Sequence, residues 1–253
     1  MYRLLLIFAL LVSLGCSAEE LSVAAAADLN FALKEIAQQY QRDTGNALLL
    51  SFGSSGNFFV QIQNGAPFDL FFSADVSYPM KLEQTGLTEP GTLYRYAIGK
   101  IVLWVPNRSK LDLSKGIDVL LDPSIKKIAI ANPAHAPYGR AAEEAMKKSG
   151  IYDRIKDKLV LGENISQTAQ FVETGNADVG IVAESLALSP AMQSEGRCIA
   201  VSTALYTPIE QGVVVLKRSG KKKTAEDFQN YLKQPAAVTI LEKYGFAIPT
   251  LSK

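Results

Sequence analysis

Residues 94–105 read YRYAIGKIVLWV, an apolar run that is longer than an average strand. A strand of this length can cross from one folded lobe into another. Its predicted partner is the run QGVVVLK at residues 211–217, which is also mostly β-branched. Two such crossings predict a two-strand hinge and a cleft between the lobes, a geometry that suits closure around a ligand.

Strands and helices alternate before the first crossing. Apolar runs at residues 21–25, 47–52 and 69–73 predict three strands, and segments with helical spacing follow them. The predicted helices cover residues 29–40, 58–64 and 76–84. This β-α-β-α-β-α order is typical of a parallel sheet with helices on both faces.

A second series of the same kind lies between the two crossings. Its predicted elements are strands at residues 127–131, 159–161 and 179–182, and helices at residues 140–148 and 167–174. The sequence therefore predicts an α/β protein of two lobes, each a mostly parallel sheet flanked by helices. Lobe one takes residues 21–98 plus 212–253, and lobe two takes residues 99–211.

The first residues are typical of an export signal, which we place at residues 1–18. Residues 4–14 form an apolar segment that is too short to span a bilayer, and small residues follow it. Cleavage after Ala18 would give a soluble protein, and cleavage before Cys16 would give a lipid-anchored one. We favour the soluble form, because Ser13 stands where the lipoprotein pattern prefers an aliphatic residue.

Composition excludes several classes of partner and site. The chain has 253 residues, of which 48% are hydrophobic, and its net charge of +1 provides no basic field for nucleic acid. Once Cys16 is removed or lipidated, Cys198 is alone, so no intramolecular disulfide can form. We expect Cys198 to be a small buried hydrophobe. With His135 as the only histidine, a transition-metal site would have to be built from carboxylates.

Three polar segments each stand at the start of a predicted helix. They are Ala27-Asp28, GSSGN at residues 53–57 and APYG at residues 136–139. A helix that begins just beyond a strand leaves unpaired backbone N–H groups, which favour an anion. Converging from two lobes, these termini would form an anion site that needs no Lys or Arg.

Each polar residue in these segments also has a structural interpretation. We expect Asp28 to cap the first helix, with its carboxylate turned away from a bound anion. The phenol of Tyr138 can donate a hydrogen bond to an oxyanion or simply pack on a lobe. Arg140 is expected to form a surface pair with Glu143 or Glu144.

A serine hydrolase is the rival interpretation of the GSSGN segment. The nucleophile-elbow pattern requires Gly two residues before and two residues after the serine. Ser55 does not fit the pattern because the residue two positions after it is Asn57. Ser54 does not fit because the residue two positions before it is Phe52. A catalytic triad would also have to use His135.

Taken together, these segments resemble the periplasmic molybdate-binding proteins of bacterial ABC importers, and the resemblance covers the chain beyond the signal. The motifs that carry it are VAAAADL at 23–29, GSSGNFFVQIQNGAPFDLFFSAD at 53–75, YAIGKIVLWV at 96–105, IANPAHAPYG at 130–139, GENISQ at 162–167 and EKYGF at 242–246. The set is specific, although GSSG or APYG alone would be weak.

The resemblance implies a type II periplasmic-binding-protein fold that holds molybdate or tungstate through neutral hydrogen-bond donors. The implied ligand-binding residues are Ala27, Asp28, Ser54, Ser55, Tyr138 and Ile165, the last through its backbone N–H. Molybdenum is then bound only as its oxyanion, through these same residues, and no separate cofactor is implied.

The function expected from the sequence is therefore non-enzymatic. The protein would act in the periplasm as a monomer that captures molybdate, and tungstate as well, and delivers it to the membrane permease of an ABC importer. No nucleic acid partner is expected. The alternatives are a binding protein for a different small oxyanion and a serine hydrolase.

Overall fold

The structure is a computed structural model that describes residues 18–249. Its strands are β1 (Glu20–Ala26), β2 (Ala47–Gly53), β3 (Leu70–Ser73), β4 (Tyr94–Gly99), β5 (Ile101–Pro106), β6 (Ile128–Ala131), β7 (Leu159–Gly162), β8 (Val179–Ala183), β9 (Gly196–Ala200) and β10 (Ile209–Val215). Its α-helices are α1 (Ala32–Thr44), α2 (Ser55–Gln63), α3 (Ser77–Gln84), α4 (Pro137–Lys148), α5 (Tyr152–Ile155), α6 (Ile165–Glu173), α7 (Glu184–Ala187), α8 (Pro190–Glu195), α9 (Lys222–Tyr231) and α10 (Pro235–Lys243). Residues 1–17 of the predicted signal peptide, with Cys16, lie outside the described residues.

The strands form two sheets with matching topology. The first sheet has the order β2-β1-β3-β10-β4 and the second has the order β7-β6-β8-β5-β9. In each sheet three parallel strands are followed by one antiparallel strand, β10 or β5, which pairs with the last strand. Helices pack against the sheets, so the predicted α/β fold of two lobes with mostly parallel sheets is confirmed.

The long apolar run at residues 94–105 is two strands in the structure, where the sequence predicts one. Strand β4 ends at Gly99 in the first sheet, and β5 begins at Ile101 in the second sheet. The strand breaks at Lys100 because its two halves pair with different sheets. The chain returns to the first sheet at Ile209, the start of β10. The exact lobe boundaries stay a prediction.

The core lies on the central strands of both sheets. Every residue of β5 and β8 is buried, and Trp104 of β5 is the largest of the fully buried side chains. Cys198 is not part of this core. It is exposed on β9, the edge strand of the second sheet, so the prediction that it is a buried hydrophobe is wrong.

Three helices begin just beyond the carboxyl ends of parallel strands, where open α/β sheets bind ligands. Helix α2 begins at Ser55 after β2, α4 at Pro137 after β6, and α6 at Ile165 after β7. The sequence places the starts of these helices two to three residues later than the structure does. The first helix differs in the opposite direction: α1 begins at Ala32, after the predicted start at residue 29, because residues Ala27–Leu29 form a separate 3-10 turn before it.

Candidate functional site

The six predicted site residues line one small cavity between the two lobes, which we call the central cavity. Its lining consists of Ala26, Ala27, Asp28, Gly53, Ser54, Ser55, Ala74, Ala136, Pro137, Tyr138 and Ile165. The free volume of the cavity is about 10 Å³. The lobes are therefore closed around this point, and the lining contains no Lys, Arg or His.

The start of α2 offers donors from Ser55. Ser54 caps the helix by accepting from the amide of Asn57 at 3.4 Å, and the amide of Gly56 donates to the carbonyl of His135 at 2.9 Å. The amide of Ser55 has no acceptor among residues 18–249. Its hydroxyl oxygen accepts from the amide of Ala74 at 2.9 Å, which leaves the hydroxyl proton free to donate.

The start of α4 offers one amide. Pro137 occupies the first position and has no N–H, a common arrangement at helix starts. The amide of Gly139 donates to the carbonyl of Ala136 at 3.0 Å. Between them, the amide of Tyr138 has no acceptor in the part of the chain that the structure describes. Tyr138 thus lies in the first turn of the helix, which the sequence predicts to begin only at residue 140.

The start of α6 repeats this pattern. The side chain of Asn164 accepts from the amides of Ser166 and Gln167, each at 3.0 Å, and so caps the helix. The preceding amide, that of Ile165, makes no hydrogen bond with any described residue. As at α2, the first amide of the helix has no acceptor among the described residues, while the next two amides each have one.

These three helix starts form a site for an anion. Each has one unpaired amide at the central cavity, from Ser55, Tyr138 and Ile165, while the amides that follow donate to side-chain caps or to backbone carbonyls. Unpaired amides at helix starts carry the positive end of the helix dipole and bind anions. With the hydroxyl of Ser55, they give four neutral donors from two lobes.

Asp28 departs from the role that the sequence predicts for it. It is fully buried in the 3-10 turn, whose N-cap is Ala26, and it makes no capping hydrogen bond. Its Oδ2 instead accepts from the Tyr138 hydroxyl at 2.9 Å and from Nε2 of Gln211 at 2.6 Å. The prediction that Asp28 caps a helix is therefore wrong, because its carboxylate is bound by side chains from two other elements.

Burial has the largest effect on the ionisation of Asp28. It raises the pKa of the carboxyl from 3.8 to about 6, although the hydrogen bonds from Gln211 and Tyr138 and the nearby amides of Asp28 and Leu29 lower it. The second carboxyl oxygen, Oδ1, is buried and has no hydrogen bond of acceptable geometry among the described residues. A carboxyl with this pKa changes protonation within the physiological range.

Gln211 and Tyr96 complete this buried network, and sequence reasoning missed both of them. The Tyr96 hydroxyl donates to Oε1 of Gln211 at 2.6 Å, and Nε2 of Gln211 also lies 3.1 Å from the Tyr138 hydroxyl. Gln211 is a polar residue within a buried apolar strand, and that contrast was the signal available in the sequence. Because the Tyr138 proton is donated to Asp28, the phenol is not a free donor for an oxyanion.

Other contacts hold the two lobes together beside the central cavity. His135 Nδ1 lies 2.9 Å from Ser54 Oγ, and its Nε2 lies 3.7 Å from a carboxylate oxygen of Glu163. Arg140 donates to Asp75 of lobe one at 2.6 Å, so the predicted pairing with Glu143 or Glu144 is wrong. Those glutamates pair with lysines one turn further along α4.

The Ser54, His135 and Glu163 side chains come near one another, as a hydrolase triad would. However, the imidazole and carboxylate are too far apart for a hydrogen bond, and Ser54 Oγ is the cap of α2.

No group of three or more His, Cys, Asp or Glu residues within 18–249 could hold a metal ion. In the same residues, no helix is both long and apolar enough to cross a membrane.

Comparison with known proteins gives consistent matches along almost the whole chain. The family of bacterial extracellular solute-binding proteins matches residues 21–247. The molybdate-binding protein ModA of Azotobacter vinelandii is 41% identical over 237 residues, covering 93% of each chain. ModA of Rhodobacter capsulatus is 40% identical over 235 residues, covering 93% of this chain and 91% of that one. The solved Azotobacter vinelandii periplasmic molybdate-binding protein superposes with a TM-score of 0.86 at 35% identity, covering 91% of this chain and 100% of that chain.

Proposed function

Because the chain belongs to the family of bacterial extracellular solute-binding proteins, we propose that it captures molybdate outside the cytoplasm and delivers it to the membrane permease of an ABC importer. Two relatives at 40% identity or more, each matched over more than nine tenths of its length, are named as molybdate-binding proteins. The proposal includes tungstate as a second ligand, the periplasm as the location and a monomer as the working form. The protein binds its ligand without chemical turnover.

The observation that carries this proposal is the set of unpaired amides at the central cavity. Ser55, Tyr138 and Ile165 each present one amide from the start of a different helix. A tetrahedral oxyanion has four oxygens that point in different directions, so donors from both lobes can each reach one. In this binding mode the protein donates hydrogen bonds to the oxygens, and no side chain coordinates the metal.

Closure of the lobes gives these donors their strength. Hydrogen bonds to a charged acceptor contribute about 1.5–3 kcal/mol each, and they are stronger where water is excluded. The site lies between lobes that touch at Gly56 and His135, so the anion and lobe closure are coupled. A closed, loaded protein then presents a surface to the permease that differs from the open form.

Selectivity over smaller oxyanions would come from the fixed positions of the donors. The donors are backbone amides at helix starts and one short serine side chain, and they cannot follow a smaller anion inward. An anion that leaves one donor unpaired loses about 1–3 kcal/mol. Protonated phosphate has an additional disadvantage, because its O–H needs an acceptor.

The test is isothermal calorimetry of the mature protein with molybdate, tungstate, sulfate and phosphate. We expect tight binding at one site for molybdate and tungstate, and at least tenfold weaker binding for sulfate and phosphate. Tight binding of sulfate or phosphate, with no binding of molybdate, would show that the ligand is another oxyanion. Turnover of ester substrates that is lost in Ser54→Ala would instead favour the hydrolase.

A further inference from the structure

The two oxygens of the Asp28 carboxyl group, at the wall of the central cavity, differ in their hydrogen bonding. Oδ2 accepts two hydrogen bonds, from Tyr138 and from Gln211. Oδ1 is buried and accepts no hydrogen bond of acceptable geometry from any described residue. Asp28 therefore has one oxygen fixed by the protein and one oxygen without a partner, in a residue that lines the anion site.

An ionised Asp28 would oppose the proposed function directly. A carboxylate and an oxyanion in one closed cavity repel each other, and the low dielectric of a buried site strengthens that repulsion. The side chains bonded to Asp28, those of Tyr138 and Gln211, are neutral. Asp28 forms no salt bridge with any residue in the described part of the chain, so no cation there neutralises it.

We propose, on the basis of the proposed function, that Asp28 binds the oxyanion as a neutral carboxylic acid, with Oδ1–H donating to an anion oxygen, so that ligand capture takes up one proton. The proton comes from solvent and no covalent bond to the ligand forms. Asp28 becomes a fifth neutral donor, supplied by lobe one beside the hydroxyl and amide of Ser55.

The existing hydrogen bonds remain intact in this protonated state. Oδ2 becomes the carbonyl oxygen of the acid and still accepts from Tyr138 and Gln211. Both donors are held in place, since Tyr96 donates to the other end of the Gln211 amide. The proton can therefore reside only on Oδ1.

Protonation is accessible before the anion arrives. Burial raises the pKa of Asp28 to about 6, so a minor fraction of the free protein is already protonated at neutral pH. Above this pKa, the association constant should fall about tenfold for each pH unit, because each anion bound requires one proton.

The other titratable groups around Asp28 do not explain such a dependence. Burial raises the pKa of both Tyr96 and Tyr138 well above its usual value, and the charge of Asp28 adds to this, so both phenols stay neutral. The charged groups on the surrounding elements have partners of their own: Lys100 with Glu184, Arg140 with Asp75, His135 with Glu163, and Glu35 with Lys243. Lys34 of α1 lies over the ring of Phe52. His135 also contacts the helix start at the central cavity, through Ser54, so its substitution provides a control.

The experiment is molybdate calorimetry on the mature protein in buffers with different enthalpies of ionisation. Comparing the buffers gives the number of protons taken up for each anion bound. We expect about one proton at pH 8 and a small fraction at pH 5.5, with affinity rising as the pH falls. Asp28→Asn places an amide donor at the same point, so it should bind with no proton uptake and no pH dependence.

His135→Gln is the matched control, and it should keep the full proton uptake of the wild type. Wild-type molybdate binding with no proton uptake at pH 8 would overturn the proposal while leaving the proposed function intact. Uptake that persists in Asp28→Asn, or disappears in His135→Gln, would also overturn it. Absence of molybdate binding at every pH would instead contradict the proposed function itself.

Discussion

Strands β1 and β2 pair side by side up to Ala26 and Gly53, yet the segments that follow them present different groups to the central cavity. After β2, helix α2 presents the neutral hydroxyl and amide of Ser55. After β1, the 3-10 turn presents the carboxyl of Asp28. Position in the sheet brings both segments to the ligand, and side-chain chemistry decides how each responds to pH.

The two segments also differ in how they are held. The cap of α2 and its contact with His135 use backbone amides and the hydroxyl of a serine. The Asp28 carboxyl depends on Tyr138, Gln211 and, through them, Tyr96. The neutral segment should therefore determine whether the anion binds, and the acidic segment should determine at which pH.

The largest expected effect comes from adding a methyl group to α2. In Gly56→Ala the new Cβ would lie 2.7 Å from the His135 carbonyl oxygen, which belongs to the opposite lobe. The clash arises only when the lobes close, so we expect molybdate affinity to fall about a hundredfold with little loss of stability. Calorimetry and thermal melting measure the two quantities.

Gly220→Ala is the control for this substitution, because no described atom beyond its two chain neighbours lies within 4 Å of its added Cβ. It should bind molybdate like the wild type. An unchanged molybdate affinity in Gly56→Ala would show that binding does not require the contact between α2 and His135.

The next effect is on the free energy of unfolding, and it tests the ionisation of Asp28 without ligand. Its pKa is 3.8 ordinarily and about 6 in this structure, a difference worth about 3 kcal/mol. Because the folded-state pKa is raised, this stability is present below pH 4 and is lost as the pH rises through 6. Asp28→Asn should therefore gain up to about 3 kcal/mol relative to the wild type between pH 4 and pH 8. Urea denaturation without ligand at both pH values measures the gain, and an equal difference at both would contradict it.

Ser55→Ala tests the neutral segment. We expect it to weaken molybdate binding by about 1.5–3 kcal/mol, the range for a hydrogen bond to a charged group. The loss should be the same at every pH, because the hydroxyl does not titrate. Ser109→Ala, outside the central cavity, should leave the dissociation constant unchanged. A loss in Ser55→Ala that varied with pH would remove the distinction between the two segments.

The smallest effect is expected from Tyr138→Phe. Its hydroxyl donates to Asp28, so the variant loses a bond that favours the ionised carboxyl. The pKa of Asp28 should rise, and the pH at which molybdate affinity begins to fall should rise with it. Affinity at low pH should change by less than about tenfold. A large loss at all pH values would mean that the phenol contacts the anion.

Much of the fold could be predicted from the sequence, because local patterns determine it. Alternating apolar runs and helical spacings predict the three parallel strands of each sheet and the main helices between them, but not the edge strand β9 or the short helices α7 and α8. The break at Lys100 could not be predicted, because β4 and β5 form one continuous apolar run and differ only in the strands with which they pair.

The candidate site was predictable to a similar extent. Strand ends followed by small residues identified the three helix starts that meet at the central cavity. The role of Asp28 could not be predicted, because it depends on Gln211 and Tyr138, which are far away in the sequence. A side chain that is a good helix cap by local rules is bound here by tertiary contacts.

The most direct test is a crystal structure of the mature protein with molybdate, in which the heavy atom locates the anion without ambiguity. The account predicts an anion in the central cavity, with its oxygens about 2.7–3.2 Å from the backbone nitrogens of Ser55, Tyr138 and Ile165. An anion bound instead at Arg140, or oxygens that do not contact these three nitrogens, would contradict it.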